Sequence, residues 1–155
     1  MMNHFISIRP AILDDLETLL QFEQGVIEAE RPLDTFLAKR ELYYYNIPEL
    51  ITSENSQLLV AVCNNEPVGS GYIRIENAKQ YHKNPKFGYI GFIFVKPNFR
   101  GQKISNLVIE SLKNWAIEKD LKELRLDVYN TNFNAIKAYE RFGFVKSLVN
   151  MRMDI

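Results

Sequence analysis

The amino-acid sequence predicts an α/β (α+β) fold, a mixed and mostly antiparallel central sheet flanked by helices. Residues 57–75 read as two strands joined by a turn at Asn64-Asn65-Glu66-Pro67. Residues 87–95 form an unbroken aromatic and β-branched run, as expected of a strand covered on both faces. After that run the apolar spacing switches between helical and strand periods, giving a strand–helix–strand–helix–strand tail. No repeat, low-complexity tract or Gly/Ser linker marks a boundary, so residues 1–155 are expected to form a single domain.

The elements follow in order. Ser7-Ile8-Arg9 is a short first strand, and Asp14 or Asp15 caps a helix carrying Leu16, Leu19, Leu20, Val26 and Ile27 at helical spacing. Asp34 is expected to cap a second helix through Leu42, with a short turn near Pro48. Strands Gln57–Asn64 and Val68–Ile75 precede a polar loop at 77–86. The helix after Arg100 places Ile104, Leu107, Val108, Leu112 and Trp115 on one stripe. Leu124, Leu126 and Val128 alternate with Arg125, Asp127 and Tyr129, marking a strand. Asn132 opens a helix with Ala135, Ala138, Tyr139 and Phe142 on one face and Gly143 at its C-terminal stop, and Val145–Ile155 is expected to be a final strand.

Nineteen basic residues balance nineteen acidic ones. That balance argues against a nucleic-acid partner, which calls for a basic excess or stripe. Cys63 is the only cysteine and sits in the apolar run Leu58-Leu59-Val60-Ala61-Val62, so it reads as a buried hydrophobe in a reducing compartment. His4 and His82 are isolated, so no metal site is expected. No apolar run is long enough to span a bilayer and no secretory segment opens the chain, so a cytoplasmic protein without a membrane partner is expected. Either a monomer or a homodimer fits this composition.

Residues 94–105, Phe-Val-Lys-Pro-Asn-Phe-Arg-Gly-Gln-Lys-Ile-Ser, carry the most chemistry. A strand ends at Val95, a Pro-containing turn follows, and Arg100-Gly101 opens an amphipathic helix. The first amides of a helix lack internal partners and sit at its positive dipole end, so such a junction is suited to phosphate. Gly101 admits close approach, and Arg100 and Lys103 add positive charge. One strand and one loop later comes Asn132-Phe133-Asn134-Ala135-Ile136-Lys137-Ala138-Tyr139-Glu140-Arg141-Phe142-Gly143-Phe144.

With both segments in view, the chain resembles the GNAT superfamily of acetyl-CoA-dependent N-acetyltransferases. The family loop V-x-P-x-x-R-G-x-G-x-G/A is met by Val95, Pro97, Arg100 and Gly101, with Lys103 in place of a glycine and Ser105 in place of glycine or alanine. The later motif N-x-x-A-x-x-x-Y-E-x-x-G-F is met at Asn132, Ala135, Tyr139, Glu140, Gly143 and Phe144. Ile8-Arg9 followed by Asp15 also resembles the start of many members. The resemblance implies a GNAT-like acyl-CoA N-acyltransferase fold with acetyl-CoA as cosubstrate. It assigns the pyrophosphate to Arg100, Gly101, Gln102, Lys103, Ile104 and Ser105, and the pantetheine arm to the backbone of Phe94 and Val95. Asn132 either caps its helix or bonds that arm, and it can do both. Tyr139 would be the general acid to the CoA thiolate; taken without the motif it is a core aromatic.

The implied reaction is direct acetyl transfer to a primary amine on a small-molecule or peptide acceptor, bound against residues 26–45. Tyr43-Tyr44-Tyr45, Glu28, Glu30 and Arg31 are concentrated there. Residues 87–95 contain no Asp or Glu, and their only titratable group, Tyr89, is a poor base at neutral pH. Glu28, Glu30, Glu76 or a water chain remain open as proton acceptors. The alternative function is a non-catalytic CoA-binding sensor on the same fold, and a further one is an interaction domain without CoA.

Overall fold

The computed structural model describes residues 5–155, so His4 lies outside it. The elements are β1 (Ile6–Pro10), α1 (Leu16–Glu30), α2 (Ile47–Thr52), β2 (Ser56–Cys63), β3 (Glu66–Asn77), β4 (Lys86–Val95), α3 (Ile104–Glu118), β5 (Leu124–Leu126) and α4 (Phe133–Phe142). They build a five-stranded sheet in the order β1-β2-β3-β4-β5. Neighbours are antiparallel except β4 and β5, which are parallel, so the expected mixed, mostly antiparallel sheet is present.

Local chemistry explains the joints. Asn64 and Asn65 hold φ of 51° and 63°, the paired left-handed turn that matches strand twist, and asparagine tolerates it. Asp15 takes a bidentate bond from Arg9 at 2.8 and 3.0 Å and a third from the Ile12 amide, tying β1 to the start of α1. These contacts, led by the Arg9 hydrogen bond, hold its carboxyl below the ordinary aspartate value.

Side-chain alternation along β2 explains its continuous apolar run. Leu59, Ala61 and Cys63 face a core closed by Ile104, Val108, Ile109 and Leu112 of α3. Leu58 and Val60 face a second core built with Leu19 and Phe22 of α1 and Ile47 and Leu50 of α2. A sheet covered on both sides needs apolar residues at every position.

Several expectations change. No helix spans Asp34–Leu42; Arg31–Leu33 form one 3-10 turn, and an irregular stretch then runs to Asn46. Its backbone is satisfied by α1 and the residue after it instead: Arg31 donates to the Ala38 and Arg40 carbonyls, Gln24 to that of Leu42, and Glu23 accepts the Tyr44 and Tyr45 amides. The turn at Pro48 is the short helix α2, capped by Asn46. On α3 the buried stripe uses Ile109 and Ala116, whereas Leu107 is exposed. β5 stops at Leu126, leaving Val128 exposed. Val145–Ile155 makes no strand; its residues are exposed, and Arg152 anchors it by bonding Asp34 and lying 4.4 Å over the Phe36 ring.

Candidate active site

The site begins where β4 and β5 part. They pair only at Gly88–Leu124, Tyr89–Arg125 and Ile90–Leu126. β4 continues to Val95 with no strand on that side among the described residues, so Gly91 and residues 93–95 are half-buried rather than enclosed as the sequence suggests. A bulge drives the change. Ser70 faces Phe94 and Tyr72 faces Gly91, which leaves Phe92 and Ile93 opposite Gly71. Phe92 sits at φ 57°, rare for a bulky residue. It is held by Ser70 Oγ donating to its carbonyl at 2.9 Å and by Tyr45 stacking at 4.6 Å. The free edge of Phe94 and Val95 offers backbone groups to an extended ligand in the manner of an added strand.

The loop after Val95 supplies donors. Lys96 is the hinge: its amide bonds Val68, and its ammonium pairs with Glu66. Arg100 folds back so that its Nε donates to the Val95 carbonyl at 3.1 Å, fixing the loop against the strand end. The backbone amides of Gly101, Gln102, Lys103, Ile104 and Ser105 meet no acceptor among the described residues. Gly101 has φ 81°, and a Cβ there would meet nothing within 4 Å. Free donors beside open space fit the diphosphate of acetyl-CoA. Lys103 has φ 61° and is the residue that starts α3. The glycine it replaces is therefore wanted for its left-handed backbone. Ile104 contributes only its amide, because its side chain is buried against α3's core.

α4 packs Tyr139 and Phe142 against the core that α3 closes. Asn132 Oδ1 accepts the Ala135 amide at 3.4 Å, so the capping role is present. Tyr139 is half-buried, edge-on to Phe144 at 6.1 Å. Burial first, and then the Glu30 charge, push its hydroxyl above the ordinary tyrosine value, which keeps it protonated and able to donate. Tyr89 donates to Asp127 at 2.9 Å; burial raises its pKa, so it is an even poorer base than the sequence implied.

In the stretch where the sequence places the acceptor, the carboxylates separate clearly. Glu28 is exposed, and Glu76 is tied to Arg74. Glu30 is half-buried on the last turn of α1, and desolvation raises its pKa against a partial opposing effect of the Tyr44 hydroxyl, with the Asp34 charge adding to the rise. Tyr43 turns outward to Glu41 and leaves the group, while Arg31 is spent on backbone carbonyls. Asp34 serves as a junction: Tyr129 donates to it at 2.7 Å, Arg152 at 2.9 Å and the Phe36 amide at 2.9 Å. Sequence reasoning missed Tyr129 and Glu23. A signal existed for Glu23, since Leu19, Glu23 and Ile27 share the buried stripe of α1 at i, i+4, i+8, and a carboxylate there must have partners.

Two surface depressions of about 210 and 250 Å³ include none of these residues; one is lined by Arg9, Trp115 and Glu118, the other by Pro85, Lys119 and Leu121. Among the described residues no cluster of His, Cys, Asp and Glu suited to a metal ion occurs, and no helix is long and apolar enough to cross a membrane.

Parted strands beside a helix start whose amides meet no acceptor among the described residues are the geometry this fold presents. The comparisons agree. The acetyltransferase (GNAT) family matches residues 15–144, and the chain belongs to that family, whose chemistry is acetyl transfer from acetyl-CoA to an amine. N-alpha-acetyltransferase 30 of Dictyostelium discoideum is 32% identical over 130 residues, 84% of this chain and 64% of the relative, so the chain spans just under two thirds of it. Two solved structures share the fold. A mutant of the BH1408 protein from Bacillus halodurans has a TM-score of 0.86 at 21% identity, covering 96% of this chain and 99% of that one. A predicted acetyltransferase from Clostridium acetobutylicum, solved with acetyl-CoA, has a TM-score of 0.74 at 16% identity, covering 97% and 96%.

Proposed function

We propose that this chain moves an acetyl group directly from acetyl-CoA to a primary amine, with Tyr139 as the acid. The observation that carries the reading is the run of amides from Gly101 to Ser105 that meet no acceptor among the described residues, next to the end of β4 beyond its pairing with β5. In this reading those amides, with Arg100 and Lys103, hold the pyrophosphate. The backbone of Phe94 and Val95 and the side chain of Asn132 hold the pantetheine arm. Acetyl-CoA supplies the thioester; the chain orients it and gives the departing sulfur a proton. Buried Cys63 plays no part, and no covalent acetyl-enzyme forms.

The acceptor is a small-molecule or peptide amine. Glu30 and Asp34 make its end of the site acidic, which suits an ammonium. The Dictyostelium relative's name favours an α-amino group. The test is release of free CoA thiol from acetyl-CoA with a short peptide bearing a free α-amine, a polyamine, free lysine and an aminoglycoside. Thiol release with any of them supports catalysis. Acetyl-CoA binding without release from any supports the sensor instead.

A further inference from the structure

We propose that residues 149–155 are a strand exchanged between two copies of this chain, laid antiparallel along the outer edge of β5 in the other copy. The inference stands apart from the acetyl-transfer reading. Three features of the C-terminal part lack cover. β5 is the last strand of the sheet and pairs with β4 alone, so among the described residues its other edge faces no strand. α4 has no fully buried residue, and Phe133 at its start is exposed, as is Val128 just past β5. In residues 149–155, Val149, Met151, Met153 and Ile155 alternate with Asn150, Arg152 and Asp154, and each of the four apolar residues is at least 74% exposed. Period-two alternation marks a strand with one face made for a core. An open sheet edge and an unpaired amphipathic segment are the two halves of a strand addition.

One antiparallel register matches the two segments at every position. With Met153 opposite Leu126, Ile155 faces Leu124 and Met151 faces Val128, so apolar meets apolar. In the same register Asp154 faces Arg125, Arg152 faces Asp127, and Asn150 faces Tyr129. A shift of one residue sets charged side chains against apolar ones. A shift of two in one direction puts Arg152 on Arg125 and Asp154 on Glu123; in the other it puts Asp154 on Asp127. Like charges directly opposite disfavour both. Leu124 and Leu126 pack on the core that α3 closes. Ile155 and Met153 opposite them therefore extend the same core, on which α4 lays Tyr139 and Phe142.

Chain length assigns the strand to a second copy. α4 starts just past β5, where the Asn132 amide bonds the Tyr129 carbonyl. Its last turn brings Phe142 to 5.7 Å from Lys113 Nζ, far along α3 from the start at Ile104. α4 thus runs back along the sheet, about 15 Å at 1.5 Å per residue. A tail leaving that far end must climb the same distance before it can turn and run antiparallel to its own β5. Residues 145–149 span at most about 18 Å, so the climb leaves none for a turn. In its own chain the tail passes by instead: Arg152 bonds Asp34 at 2.9 Å, and no tail residue is buried. Exchange moves Arg152 to the Asp127 carboxylate of the other copy, while Asp34 keeps the Tyr129 hydroxyl and the Phe36 amide. A two-fold axis lets each copy give one strand and receive one, so the contact closes at two copies.

Sedimentation of the full chain across a concentration series is the test. Wild type should run at twice the chain mass, and a chain cut after Leu148 should run as a monomer with unchanged circular dichroism. Asp154→Lys and Arg125→Glu each set like charges opposite one another in both contacts of the dimer, and each should weaken association about tenfold or more. An equimolar mixture of these two variants decides the matter. In the mixed dimer each tail meets a β5 of opposite charge, so the mixture should regain wild-type association. Arg125 also bonds Glu123 and lies over the Phe87 ring, so the neighbouring pair, Arg152→Glu with Asp127→Lys, repeats the arms should Arg125→Glu not fold. Recovery in the doubly substituted chain but not in the mixture would mean that the tail folds on its own β5, which overturns exchange. A monomeric wild type overturns it too, as does a dimer that survives removal of residues 149–155.

Discussion

The two ends of the proposed site are built from opposite materials. At the cosubstrate end, residues 95–105 offer mostly backbone: amides without acceptors, a glycine at φ 81°, and a lysine forced to φ 61°. At the acceptor end, side chains of α1 and of Arg31 just beyond it hold an irregular stretch that has no secondary structure of its own. Glu23 takes two amides at 2.8 Å each, Gln24 one carbonyl and Arg31 two. A diphosphate needs an array of donors that any sequence with the right φ values can provide. A particular amine needs particular side chains, and those sit on a scaffold whose shape depends on buried polar contacts.

If that contrast is right, the largest effect on stability comes from the acceptor end. Glu23→Ala strands two buried amides and should cost about 2–4 kcal/mol. Urea unfolding measures this, and a loss within about 0.5 kcal/mol would mean the stretch holds itself. At the other end the backbone is the target. Gly101→Val adds strain and fills the open space, so CoA affinity should fall tenfold or more, about 1.4 kcal/mol, by isothermal titration on folded protein. Unchanged affinity would place the phosphates elsewhere. Lys103→Gly gives the smallest effect and a mixed sign. Relief at φ 61° should add up to about 1 kcal/mol of stability. Loss of the charge should weaken CoA binding at low salt, the difference fading as salt rises. Tighter binding at low salt would make the charge irrelevant to the phosphates.

The same contrast explains what was legible in the sequence. The hairpin at Asn64-Asn65, the loop through Gly101 and the cap at Asn132 are local rules, and each appears where the residues place it. The helix expected from Asp34 failed because Asp34 was read as a cap, whereas its carboxylate is engaged by Tyr129 and Arg152, far away in sequence. The final strand failed for a related reason. Strand alternation in Val145–Ile155 is visible locally, but pairing needs a neighbour, and β5 ends at Leu126. The bulge at Phe92 was hidden inside a run that looked uniformly buried. For the acceptor end, the carboxylates were visible but not which of them would be half-buried beside Tyr44.

Tyr139, on α4, carries the chemistry in the proposed reading. Single-turnover acetyl transfer by Tyr139→Phe tests the account most directly, because the change keeps the ring and removes only the proton. The account predicts a folded protein with near-normal acetyl-CoA affinity and a transfer rate lower by about a hundredfold or more. A single-turnover rate equal to wild type would contradict it and leave Tyr139 as a packing residue.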